Sequence, residues 1–90
     1  MKISVKLMGL PRKFLGDTLI VNLDDEAKVK DMLEYLNTLL REKGVHDQFV
    51  FDPIGIVVLI NGTEISALKR ENTKLKDGDN VVIVPIIHGG

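Results

Sequence analysis

Only one stretch of this chain repeats its apolar residues at helical spacing over several turns. Val29, Leu33, Leu36 and Leu40 fall at i, i+4, i+7 and i+11, and Met32 and Leu39 widen the stripe. The other apolar runs have the pattern of strands. Ile3, Val5 and Leu7 alternate with Lys2, Ser4 and Lys6, and Leu19, Val21 and Leu23 alternate with Thr18 and Asn22. Ile56 to Ile60 and Val81 to Val84 are apolar at every position. One long amphipathic helix covers one face of one sheet, so this inventory predicts a two-layer α+β domain.

Turn chemistry sets the order of elements. Gly9, Pro11 and Gly16 mark a loop between the first two strands, which are close enough to pair as an antiparallel hairpin. The helix is expected over about Ala27 to Lys43. Asp24, Asp25 and Glu26 sit at its positive end, Arg41 and Lys43 at its negative end, and Gly44 at its exit. An irregular crossover, Val45 to Gly55, contains the Asp52-Pro53 turn and two aromatics, Phe49 and Phe51, expected to lie as lids on the helix. Asn61-Gly62 predicts a type I′ hairpin turn into a short return strand at Thr63 to Ile65. Ser66 to Asn72 is expected to be a loop or short helical turn, and Asp77-Gly78 a last turn before the final strand. Strand, strand, helix, strand, short strand, strand is the β-grasp arrangement. It implies a mixed sheet of four to five strands with the main helix on one face.

Composition narrows the function classes. Twelve basic and 13 acidic residues give a net charge of −1, without the basic excess that phosphate-backbone binding requires. Direct nucleic-acid binding is therefore not expected. The absence of cysteine removes disulfides, thiolate metal sites and a cysteine nucleophile together. His46 and His88 stand in no recognisable metal spacing, and Asp77-Gly78-Asp79 lacks the spacing of a calcium loop, so no metal and no bound cofactor are expected. No nucleophile, base and orienting acid can be assembled, and no catalytic residue is assigned. No apolar stretch approaches membrane-spanning length, and Met1-Lys2-Ile3-Ser4 runs straight into a strand pattern, so cytoplasm is the expected location.

The continuous apolar runs leave more apolar surface than one helix can cover. Loops over the far face of two central strands would account for it, and so would a partner-binding patch there; both can hold at once.

At the other extreme is the chain end. Pro85 lacks a backbone N–H and is expected to release the chain from the sheet, giving a domain over 1–85 and a mobile tail, Ile86-Ile87-His88-Gly89-Gly90. A glycine pair can thread a narrow channel and bring its backbone close to a nucleotide. Its carboxylate becomes an electrophile once converted to an acyl-adenylate, and a side chain at the last position would crowd attack on that carbon. The plain alternative is a frayed terminus without a role.

The tail Ile87-His88-Gly89-Gly90, the run Leu75-x-Asp77-Gly78-Asp79-x-Val81, the run Val58-Leu59-Ile60-Asn61-Gly62 and the helix from Val29 to Leu36 together resemble the ubiquitin-like sulfur-carrier superfamily. That group includes MoaD, ThiS, the ubiquitin-related modifier and the archaeal small modifiers. The resemblance implies that a ubiquitin-activating-type adenylating enzyme uses ATP to activate Gly90. The product would be a C-terminal thiocarboxylate that donates sulfur, with Gly89 beside it and His88, Ile87 and Ile86 contacting that enzyme. It implies a sulfur-acceptor enzyme as second partner, either a transfer-RNA thiolase or the large subunit of molybdopterin synthase. Conjugation through Gly90 to target lysines is the alternative use of the same group. The ending at His88 and the strand Gly55 to Asn61 resemble the ubiquitin-related modifier; the chain length and the place of Pro85 equally resemble MoaD. Alignment of the terminal glycines with those of ubiquitin turns Val82 and Val84 outward, and alignment of the Asn61-Gly62 turn does the same for Leu59. These three residues are the candidates for the patch.

Overall fold

The computed structural model describes residues 1–45 and 51–86. Five strands, β1 (Lys2–Leu7), β2 (Thr18–Asn22), β3 (Ile56–Ile60), β4 (Thr63–Glu64) and β5 (Asn80–Pro85), form one sheet in the order β2-β1-β5-β3-β4. β1 runs parallel to β5, and the other neighbours are antiparallel, so the sheet is mixed as expected. The main helix, α2 (Val29–Glu42), lies on one face, and this is the β-grasp fold.

Period two and period 3.6 meet in one core. Ile3, Val5 and Leu7 of β1, Val21 of β2, Val58 of β3, and Val81 and Ile83 of β5 cluster with Val29, Met32, Leu33, Leu36 and Leu40 of α2, all of them buried. Each side chain of this size contributes roughly 1.5–3 kcal/mol when removed from water. The helix starts two residues later than expected, at Val29. The backbone N–H of Lys28 donates to Oδ2 of Asp31 at 2.8 Å, so a carboxylate of the first turn satisfies the entry. The acidic run before it serves turn and ion-pair contacts instead: the Ala27 N–H reaches the Asp24 carbonyl at 3.0 Å, and Glu26 meets Lys74 at 3.2 Å.

The loop expected between β1 and β2 contains a second helix, α1 (Leu10–Leu15). Pro11 in its first turn is tolerated there because that N–H would have no intrahelical partner. Pro11 is buried, and Phe14 and Leu15 pack against the core. Gly9 and Gly16 therefore bracket a short helix, with Pro11 in its first turn. The Ser66 to Asn72 segment does form short helical turns, Ile65–Ala67 and Arg70–Asn72.

Two polar clamps hold the corners. Asn37 of α2 accepts the Phe51 N–H at Oδ1 (2.6 Å) and donates from Nδ2 to the Phe51 carbonyl (3.1 Å), which holds the backbone of Phe51 where its ring is buried in the core. Phe49, the other expected lid, and His46 lie outside the described residues. At the Asn61-Gly62 turn both residues have positive φ (50° and 86°), as type I′ geometry demands. Asn61 then accepts the Asn80 N–H (2.9 Å) and donates to Asp79 Oδ1 (2.9 Å), while Asp79 Oδ2 accepts the Lys76 N–H (2.8 Å). Asp79 is 7% exposed, and these bonds offset the cost of its burial. Asp77 accepts the Lys2 N–H at 2.7 Å. The carboxylates of this segment serve the backbone as turn residues.

Leu36, fully buried in α2, tests the core. Leu36→Ala is expected to cost about 2–5 kcal/mol in urea denaturation, whereas Ile54→Ala, at a side chain 89% exposed, is expected to stay within about 0.5 kcal/mol of the parent.

Candidate functional site

Because β5 is central, its residues alternate between two environments. Val81 and Ile83 face the core, and Val82 and Val84 face the opposite side. β3 repeats the pattern, with Ile56, Val58 and Ile60 inward and Val57 and Leu59 outward. Register joins these into rows. Val82 lies opposite Leu59 in β3 and beside Lys6 in β1; Leu59 pairs with Glu64, and Lys6 with Thr18. One row across the sheet therefore reads Thr18, Lys6, Val82, Leu59, Glu64, with a cation and an anion flanking an apolar centre. The next row holds Val84 opposite Val57. All four apolar residues are half-buried, so the outer face is not closed over. Ile20, opposite Ser4 on β2, is 59% exposed and carries the apolar surface toward the edge.

The structure thus brings Leu59, Val82 and Val84 together on one face and adds Val57, which the sequence reading omitted. Its parity with Leu59 was the available signal. The anionic rim is held in place: Glu64 caps the following 3₁₀ turn by accepting the Ser66 N–H. Hydrogen bonding from the Ser66 side chain, then from its backbone, keeps the Glu64 carboxyl below its ordinary value of 4.5, with nearby Arg70 adding to the effect.

The last described residue lies at the other end of β5. Contrary to the expectation from its missing N–H, Pro85 does not release the chain from the sheet. It is the final residue of β5, opposite Ile56, and the Ile86 N–H donates to the Gly55 carbonyl at 3.0 Å. The 1–85 boundary therefore falls one residue short of this last bond. Ile86 itself is exposed. Ile87, His88, Gly89 and Gly90 lie outside the described residues. The four of them span at most roughly 14 Å when fully extended, which bounds how far the carboxylate can sit from Ile86.

Among the described residues no three carboxylate or imidazole side chains are grouped to hold a metal ion, and no helix is long and apolar enough to cross a membrane. The shallow hollows of the surface are of another kind: one of about 800 Å³ is lined by Lys28, Lys69, Lys74 and Lys76 beside Leu68.

A mixed β-grasp sheet with an open apolar face, feeding its central strand into a chain end, is the architecture of the ubiquitin-like sulfur carriers. Residues 5–90 match the ThiS family, and the chain belongs to it. It is 29% identical to Ubiquitin-related modifier 1 of Schizosaccharomyces pombe, an alignment that covers the whole of both chains. Among solved structures it is similar to small archaeal modifier protein 1 from Methanosarcina acetivorans (31% identity, TM-score 0.72, covering 99% of this chain and 96% of that one). It is also similar to a putative molybdopterin converting factor, subunit 1, from Pyrococcus furiosus (25% identity, TM-score 0.74, covering 97% and 99%).

The Glu64 cap gives a pH signature. Its folded-state pKa lies below the unfolded value, so its contribution to stability is present above the ordinary glutamate range and is lost as pH falls through the depressed folded value. An NMR titration of the side-chain carboxyl is expected to place its midpoint below 4.5. Ser66→Ala is expected to raise that midpoint by removing the hydroxyl donor while the backbone donor stays.

Proposed function

We propose that this protein is a ubiquitin-like sulfur carrier, activated by another enzyme at the carboxylate of Gly90. The observation that carries the proposal is the Gly89-Gly90 ending, four residues beyond the last described sheet bond, on a chain that matches the ThiS family through residue 90. A carboxylate oxygen attacks the α-phosphorus of ATP and expels pyrophosphate. Hydrosulfide then adds to the acyl carbon, expels AMP and loses its proton, leaving a thiocarboxylate. The carrier supplies only the acyl group and the surface by which it is recognised. The adenylating enzyme supplies nucleotide and catalysis, so ATP is that enzyme's substrate and this chain is no enzyme by itself.

The outer sheet face fits the recognition role. Val57, Leu59, Val82 and Val84 form an apolar centre between Lys6 and Glu64, a polar-rimmed pattern suited to transient docking. This face is assigned to the adenylating enzyme, and Ile86, with Ile87 and His88, to the approach of the tail to its channel. The sulfur acceptor is a transfer-RNA thiolase or a molybdopterin-synthase large subunit. A relative named as a putative molybdopterin converting factor subunit and one named as a ubiquitin-related modifier, the branch whose ending this chain resembles, both match over nearly the whole chain.

A second use of the same acyl group is conjugation to lysine amines, in keeping with the modifiers among its relatives. Co-expression with the cognate adenylating enzyme, followed by intact-mass analysis, separates the readings. Replacement of one terminal oxygen by sulfur is the expected result, and Gly-Gly remnants on lysines of other proteins would mark conjugation. Neither product in the presence of a competent enzyme would reduce the chain to an interaction domain with incidental glycines. Removal of Gly90 is expected to abolish either product. Val82→Lys is expected to weaken binding to the adenylating enzyme by about tenfold or more while leaving the far-UV spectrum and melting temperature close to those of the parent. Unchanged binding would remove the sheet face from the proposal.

A further inference from the structure

The last described residues of β5 have neighbours on two sides. On the β1 side, the Met8 N–H donates to the Ile83 carbonyl at 3.2 Å. The next bond of a parallel ladder would run from the nitrogen of residue 85 to the Met8 carbonyl. Residue 85 is proline and has no hydrogen to give. On the β3 side nothing is lost, since Pro85 faces Ile56 and the Ile86 N–H reaches Gly55. Pro85 therefore ends one ladder and leaves the other running.

Where that ladder stops, the ring of Pro85 stands over Gly9. A β-carbon at Gly9 would lie 3.0 Å from Pro85 Cγ and 3.3 Å from Cδ, closer than packed carbon atoms sit. Gly9 also has φ 74° and ψ −148°, a backbone region essentially reserved for glycine, and it precedes α1 as the residue that starts the helix. The bare backbone of Gly9 thus forms a seat that any side chain would fill.

We propose that Gly9 is a positioning residue for the C-terminal tail. Its bare backbone seats the Pro85 ring, and this seat, with the Ile86–Gly55 bond, fixes the direction in which the chain leaves the body toward the activating enzyme. The inference rests on the reading of Gly90 as the activated carboxylate. A tail launched from a fixed point has fewer conformations to lose on entering a channel, so the effect falls on capture of the carrier rather than on the chemical step.

Gly16, at the other end of α1, provides a matched control. It has φ 89° and ψ 172°, the same glycine-only region, and a β-carbon there would meet nothing within 4 Å. Gly9→Ala and Gly16→Ala therefore share the backbone strain, and only the first touches Pro85. The measurement is ATP–pyrophosphate exchange by the cognate adenylating enzyme as a function of carrier concentration, with melting temperatures alongside. Gly9→Ala is expected to raise KM roughly tenfold with kcat little changed. Gly16→Ala is expected to keep KM within about twofold of the parent, at a comparable loss of melting temperature. Pro85→Ala removes the ring without straining Gly9; the N–H it supplies can lengthen the β1 ladder at the Met8 carbonyl but does not refill the seat on Gly9, and the variant is expected to raise KM as well. Adding Gly9→Ala to it is expected to raise KM no further, because the two changes break one contact, while the backbone strain at position 9 still lowers the melting temperature.

Equal KM values for the two glycine variants, or losses that add in the double variant, overturn the inference and leave the carrier function standing. Should Gly9→Ala fail to fold, Pro85→Ala decides alone, and an unchanged KM overturns the proposal. No exchange with the parent chain and a competent enzyme would overturn the carrier reading and this inference with it.

Discussion

Everything in this molecule is organised by the double pairing of β5. It lies parallel to β1 on one side and antiparallel to β3 on the other, and without it those strands have no contact in the sheet. That position makes both faces of the strand apolar for different reasons. Val81 and Ile83 belong to the core with α2, and Val82 and Val84 form the middle of the open face with Leu59 and Val57. A slip of one residue would exchange the two sets. Register is therefore the quantity the rest of the fold protects.

The polar clamps protect it. Asn61 bridges the start of β5 through Asn80 and Asp79, fixing where the strand begins against β3. Asp77 and Gly78 bond to Lys2 from the other side, fixing where it begins against β1. Asn37 holds Phe51 just before β3 enters the sheet. Each clamp uses a side chain to satisfy backbone groups that a turn leaves unpaired. The residues that look most reactive in the sequence, the aspartates around Gly78, have structural partners in these clamps.

The sequence showed clearly what repetition encodes. The stripe from Val29 to Leu40 and the alternation in Lys2 to Leu7 specify their elements because side-chain period follows backbone geometry. Asn61-Gly62 specified its turn because both positions need positive φ. The α1 segment was obscure because six residues hold too little period to outweigh a proline and two glycines. Pro85 was misplaced because a missing N–H matters only on the side where the N–H would point, and sequence does not reveal which neighbour lies there. Val57 was omitted from the patch although its parity with Leu59 was visible, since that alignment fixed one residue rather than a strand. The contact of Gly9 with Pro85 joins segments far apart along the chain, and nothing local records it.

The central strand is also the last of the five to be synthesised. Until it emerges, the chain can offer only the β1–β2 hairpin, the β3–β4 hairpin and a helix whose apolar stripe has no complete partner, and isolated hairpins are marginal in water. Products that terminate before residue 80 would stay open, sticky and accessible to proteases. A compact body forms only on chains translated through this strand, so completion of the sheet waits on the final stretch of synthesis.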